Sequence, residues 1–123
     1  MNFRLKTSKE TGERLVSLQA TTGLTWNILS RIALALSLRD PSMPDLVENK
    51  SGVDINRNAM TGENDYIYKA LIRQHAQRNV SDEEYFPDLF NAHLERGIVL
   101  LENEYKHARN YDKLLLNLLK MEV

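Results

Sequence analysis

The sequence predicts a mainly α protein that opens on one short strand and two helices over residues 1–40. A loop and a helical C-terminal part follow over residues 41–123, all within a single domain. Three observations carry this expectation. Phe3-Arg4-Leu5-Lys6-Thr7 alternates apolar and polar side chains, the period of a strand. Trp26–Leu38 is apolar on almost every side and follows a glycine turn at Gly23, as a buried second helix would. Beyond Pro44 the apolar residues recur mainly at helical spacing.

In the strand, Phe3, Leu5 and Thr7 fall on one face and Asn2, Arg4 and Lys6 on the other. So short a strand needs a partner for its backbone groups, and the strand of a second subunit is the economical one. Thr7 and Glu10 have capping-box spacing, with Ser8 as the competing cap, so a first helix starts here and runs to about Thr21. It is thinly apolar, relying on Leu15, Val16 and Leu18. Thr22-Gly23-Leu24 closes it, and Thr25 caps the second helix, which Pro41 and Pro44 end. That second helix must be covered on more than one side, either by the C-terminal helices or by another subunit.

The polar segment 45–64 reads as a loop or hairpin-like turn. Asp54-Ile55-Asn56-Arg57-Asn58 resembles the start of a calcium-binding loop, but Ala59 stands where glycine is needed and Asp65 where a bidentate glutamate is needed. Helical spacing returns over Glu63–Arg78. Ser81 and Glu84 form a second capping box, interrupted at Pro87. Leu89, Phe90, Leu94, Ile98, Leu101 and Tyr105 then mark an amphipathic helix from Asp88 to about Ala108, with Gly97 inside it. A last helix over Leu114–Leu119 is capped by Asn110 or Asp112.

The 42% apolar and 27% charged residues are those of an ordinary globular chain, which argues against wholesale disorder. Cysteine is absent, so disulfides and thiolate chemistry are excluded. The N-terminus has no signal-peptide core, and Leu15–Ser30 is too polar to span a membrane, so a cytoplasmic protein without membrane contact is expected. His75, His93 and His107 show no metal-binding spacing and read as surface or half-buried helix residues. P-loop, dinucleotide-binding and nucleophile-elbow motifs are missing as well. No cofactor, no metal and no catalytic residue is expected, and the protein is not expected to be an enzyme.

Charge is uneven: residues 1–40 carry six basic against three acidic side chains, a net of +3, and residues 41–66 carry two against five, a net of −3. A basic strand, a thin helix, a glycine turn and an apolar helix follow the order of a ribbon-helix-helix unit, whose strands enter the DNA major groove. Arg4 and Lys6 would then face DNA. Thr25 stands where the amides of the second helix could take a phosphate, and Arg31 completes the basic set. Residues 41–123 could instead cover the apolar helix and block the interlocked dimer. DNA contact would then shift to Lys9 and its like, through phosphates alone. The bland counterpart is that these cations only keep the strand soluble.

The run RLKTSKETGERLVSLQATTGLTWNILSRIALALSL, with INRNAMTGENDYIYKALIRQ and NAHLERGIVLL further on, resembles the DndE family of the DNA phosphorothioation, or sulfur modification, system. The resemblance implies a non-catalytic accessory subunit, a homo-oligomer of tetrameric type, that binds double-stranded DNA and favours nicked duplex. Other Dnd modification proteins would be its partners and would supply the sulfur chemistry. A protein-interaction scaffold of the modification complex and a ribbon-helix-helix transcriptional repressor are the alternatives.

Overall fold

The computed structural model describes residues 2–120, and the chain is mainly helical with one short strand pair. Strand β1 (Arg4–Lys6) runs antiparallel to β2 (Asp54–Asn56), with Arg4 opposite Asn56, Leu5 opposite Ile55 and Lys6 opposite Asp54. Leu5 and Ile55 point inward and the other four side chains outward, as a two-residue period requires. The ribbon is prolonged by Thr7 N to Val53 O (3.0 Å), Gly52 N to Thr7 O (2.9 Å) and Arg57 N to Phe3 O (2.7 Å). At Gly52 a Cβ would fall 2.1 Å from Ser8 O, so only glycine lets the two chain segments meet.

This pairing corrects the expectation that β1 joins the same strand of a second subunit. Its partner comes from the acidic segment read as loop, and the side chain of Asn91 holds the Lys6 carbonyl at 2.9 Å as well. The backbone need identified from sequence is therefore met within one chain.

Helix α1 (Lys9–Thr22) follows at once. Ser8, not Thr7, caps it, its Oγ accepting from Thr11 N at 3.1 Å. Thr7 is fully buried and committed to the ribbon: its Oγ1 accepts from Val53 N and donates to Ser8 O. Replacing Ser8 with alanine is expected to lower stability by about 1 kcal/mol, the usual loss for such a cap, in a urea denaturation series. Gly23, at φ 77, closes the helix by donating its N–H to Gln19 O.

Helix α2 (Trp26–Leu38) lies against α5 (Phe90–Ala108), which covers Leu29, Ala33 and Leu34. Of the two ways to cover this apolar helix, the chain uses its own C-terminal part. Only Ile28 and Ala35 stay open among its apolar residues. The axes approach closely because Gly97 of α5 sits on the backbone of Ala33, where a Cβ would be 1.7 Å from the carbonyl oxygen. Around this contact one apolar cluster joins Leu5, Leu15, Leu29, Ile72, Phe86, Phe90, Ile98 and Leu101.

The remaining elements close this core. Helix α3 (Arg57–Thr61) and a 3-10 turn lead into α4 (Asp65–Ala76), shorter at both ends than the expected Glu63–Arg78. A turn over Glu84–Leu89 containing Pro87 buries Tyr85 and Phe86 and runs into α5. Helix α6 (Tyr111–Lys120) ends the described chain, with Asn110 Oδ1 accepting from Lys113 N at 2.8 Å.

One polar node lies inside the helical layer. His93, expected at or near the surface, is fully buried, with Nδ1 2.8 Å from Ser37 Oγ and its ring edge-on to His75 at 4.7 Å. Burial, with smaller contributions from the neighbouring His75 and Arg96, pushes its pKa down to about 3, so the ring is neutral at pH 7. Arg96 donates to Ser37 O in the last turn of α2 at 2.7 Å and to Ser42 O in the segment beyond it at 2.8 Å, placing a positive charge at a helix C-terminus that has no basic residue in its own last turn.

Candidate nucleic-acid interface

The outward face of the ribbon carries Arg4 and Lys6 from β1 and Asp54 and Asn56 from β2. Alternation places the two cations side by side. Pairing then sets a carboxylate beside one of them: Arg4 Nε lies 2.9 Å from Asp54 Oδ1, with both side chains largely exposed. Such a pair contributes little to stability, on the order of 0–1 kcal/mol, so a phosphate can compete for the guanidinium.

Arg4 also lines an open groove of about 570 Å³ with Gln19, Thr25, Trp26, Asn56 and Ala59. The start of α2 thus faces the same groove as Arg4. Thr25 caps no amide there, because its hydroxyl is turned to the Asn27 side chain instead. The first amides of α2 therefore lack a side-chain acceptor and hold the positive end of the helix dipole open to an anion.

Lys6 faces a second cleft, of about 210 Å³, lined by Lys50, Leu46, Val47, Pro87, Asp88 and Asn91. Lys50 has no counterpart among the basic residues singled out in the sequence. It lies in the acidic segment, and only the β1–β2 pairing brings that segment beside Lys6. Lys9 is exposed at the first position of α1. Lys6, Lys9 and Lys50 make no ion pair with any of the described residues.

Arg31 is placed differently. Its Nε donates to Met60 O at 2.6 Å and its Nη2 to Ala59 O at 3.2 Å, so the half-buried guanidinium ties α2 to the end of α3. The structure thus brings Arg4 and Thr25 onto one groove, sets Lys6 on the adjoining cleft and Lys9 just beyond the ribbon, and gives Arg31 a structural tie. Among the described residues no cluster of three or more metal-ligating side chains occurs, and no helix is long and apolar enough to cross a membrane.

Fold and surface together define a small helical protein with a paired N-terminal ribbon, whose outward basic residues Arg4 and Lys6 each line a groove beside it. The sequence model described as DNA sulphur modification protein DndE matches residues 4–109, and the chain belongs to the DndE family, part of the DNA phosphorothioation system. Solved structures that share the fold include two of DndE. DndE from Escherichia coli B7A, described as involved in DNA phosphorothioation modification, is 21% identical with a TM-score of 0.68, over 82% of this chain and 97% of that one. A glycine-to-lysine mutant of DndE, described as involved in DNA phosphorothioation, is 20% identical with a TM-score of 0.62, over 84% of this chain and 99% of that one. No curated protein sequence matches the chain.

Proposed function

We propose that this chain is a non-catalytic, DNA-binding accessory subunit of the phosphorothioation machinery. It acts as a homo-oligomer, a tetramer, that favours nicked double-stranded DNA and works with the other Dnd modification proteins. The observation that carries the DNA contact is the joint placement of Arg4 and the uncapped start of α2 on one groove, with Lys6 and Lys9 beside it. Cations, a helix end and open amides are the parts of a phosphate-binding surface, and none of them reads a base sequence. The nick preference and the tetramer are part of this proposal and rest on the resemblance to the family alone.

A non-catalytic role also fits the titratable groups. Among the described residues the shifted ones are Asp40, Arg57, Asp65, Arg78, Asp82, Glu84, Tyr85 and His93. None of them lines either ribbon groove. Perturbed groups at a reacting centre would be expected to point into the cleft they serve.

The test is an anisotropy titration of labelled nicked and intact duplex at several salt concentrations, with Arg4, Lys6 and Lys9 changed together to alanine. The triple variant should bind at least tenfold more weakly at moderate salt. Its log affinity against log salt slope should be shallower by roughly 2 to 3, because each lost phosphate contact removes about 0.9. An unchanged affinity and slope would remove this face from DNA binding.

A scaffold reading has one observation of its own: Tyr66, Ile67 and Leu71 of α4 are exposed, the last two one helical turn apart. It requires modification in cells to survive neutralisation of the three basic residues, which the DNA-binding reading does not allow. The repressor alternative loses its footing, because the intermolecular ribbon it requires is replaced by the β1–β2 pair.

A further inference from the structure

Two imidazole nitrogens in the polar node between α2, α4 and α5 are buried and have no hydrogen-bond partner among the described residues: Nδ1 of His75 and Nε2 of His93. Their rings meet edge to face, with centres 4.7 Å apart. The other nitrogen of each ring is engaged, and those contacts decide where the protons sit.

His75 Nε2 lies 2.6 Å from Asp40 O. A carbonyl only accepts, so Nε2 carries the proton and Nδ1 of the neutral ring is a bare acceptor. His93 Nδ1 lies 2.8 Å from Ser37 Oγ, which already accepts from Arg96 Nε at 2.9 Å. Among the described residues the Ser37 hydroxyl has no acceptor besides Nδ1, so it donates there and His93 carries its proton on Nε2. Arg96 reaches the far side as well, donating to Asp40 O at 3.3 Å. Ser37, Arg96 and Asp40 thus link the two rings at their engaged ends. What is left over is one donor and one acceptor, on rings in contact, and a buried polar group is costly to leave unpaired.

We propose that His93 Nε2–H donates to His75 Nδ1, closing a cyclic network that fastens the end of α4 to α2 and α5 only while both imidazoles are neutral. A second proton on His75 has to go to Nδ1, where it meets the N–H of His93. A second proton on His93 sets a charge in the core beside Arg96, and burial accordingly holds that ring far below the ordinary histidine value of 6.5, at about 3. Around His75, the Asp40 carboxylate and the C-terminal end of α4 favour a cation. Arg96, Arg39 on the shared pocket and Arg73 in the same turn oppose it. None of them accepts a hydrogen bond from Nδ1. The charged ring therefore turns out to solvent, lets go of Asp40 O and frees the last turn of α4. Because the closed network excludes protons that the open one takes up, it holds above the ordinary histidine range and opens as pH falls through it.

Nitrogen-15 NMR of the unsubstituted full-length chain tests the pairing directly, with exposed His107 as the internal reference. At about pH 7.5 both His75 and His93 should show a bare Nδ1 and a protonated Nε2, and a scalar coupling should cross from His93 Nε2 to His75 Nδ1. The opening is read by amide hydrogen exchange, corrected for its intrinsic pH dependence. Protection over residues 72–76 should fall about tenfold between about pH 6 and pH 5, the effect of one proton, while that of α1 stays level. His75→Gln keeps a donor and an acceptor but takes up no proton, and should hold the same protection constant over that range. A proton on Nδ1 of His93, no coupling between the rings, or protection that falls equally in His75→Gln would overturn the proposal. The ribbon grooves share no residue with this node, so its failure leaves the DNA reading standing.

Discussion

Changing Gly97 to alanine is expected to lower stability by at least about 3 kcal/mol, in the upper range for overpacked cores, and to lower the melting temperature by roughly 10 °C or more. The added methyl would sit 1.7 Å from the carbonyl oxygen of Ala33, 2.3 Å from its carbon and 2.9 Å from its Cα. These are backbone atoms in the middle of α2, so no side-chain rotation relieves the clash. Either α2 and α5 move apart or one of them bends. Separation opens gaps beside Leu29, Leu34, Leu94 and Ile98, all buried, and each lost contact adds to the cost. Alanine's better helix propensity returns only about 1 kcal/mol. Gly23→Ala is the control: its φ of 77 strains any side chain by about 1–2 kcal/mol, but nothing lies within 4 Å of the new methyl. Thermal unfolding of both variants decides the matter. A melting-temperature loss for Gly97→Ala no greater than that for Gly23→Ala would mean that the two helices yield.

What was legible in the sequence was what local chemistry specifies. The bounds of α2, Trp26–Leu38, follow from Gly23, Thr25 and the prolines, and they agree with the structure residue for residue. Strand β2 was hidden because it is three residues long with one apolar side chain, Ile55, and its pairing joins positions some fifty residues apart. That pairing in turn placed Lys50 beside Lys6 and buried Thr7, which handed the cap of α1 to Ser8. His93 could have been found: it lies four residues before Gly97 and three after Phe90, on the face that α5 turns to the core. The cations of the ribbon were legible as cations. That Arg4 would pair with Asp54 and Arg31 would hold carbonyls of α3 depended on chain packing that no local pattern encodes.

Replacing Arg57 with methionine should produce the second large effect, a loss of about 2–4 kcal/mol at neutral pH. The guanidinium is buried and forked twice, to Asp65 at 2.7 and 3.0 Å and to Asp82 at 2.8 and 3.1 Å. It also donates to Asn2 O and lies 5.2 Å and 4.9 Å from the ring centres of Tyr85 and Phe86. Removing it leaves two carboxylates facing one site, with Lys69, 3.7 Å from Asp82, as the cation still nearby. Both carboxylates are about a quarter exposed and recover some hydration, which keeps the loss below that of a fully buried pair. Lysine at the same position should recover little of it, because an ammonium cannot make the double fork. The pH dependence separates charge from packing. Burial alone would raise the pKa of Asp65, but hydrogen bonds from Arg57, Thr61 and Tyr85 outweigh it and hold the carboxyl below its ordinary 3.8. The Arg57 fork, against a smaller effect of burial, does the same for Asp82. A depressed folded pKa contributes stability that is complete above the unfolded value and is lost as pH falls through the folded one. The deficit of Arg57→Met should therefore be widest near neutrality and should narrow below about pH 4, as acid takes from the native protein what the substitution has already removed. Urea denaturation from pH 7 to pH 3 measures this directly. A deficit constant across that range would assign the role of Arg57 to its packing on Tyr85 and Phe86 rather than to its charge.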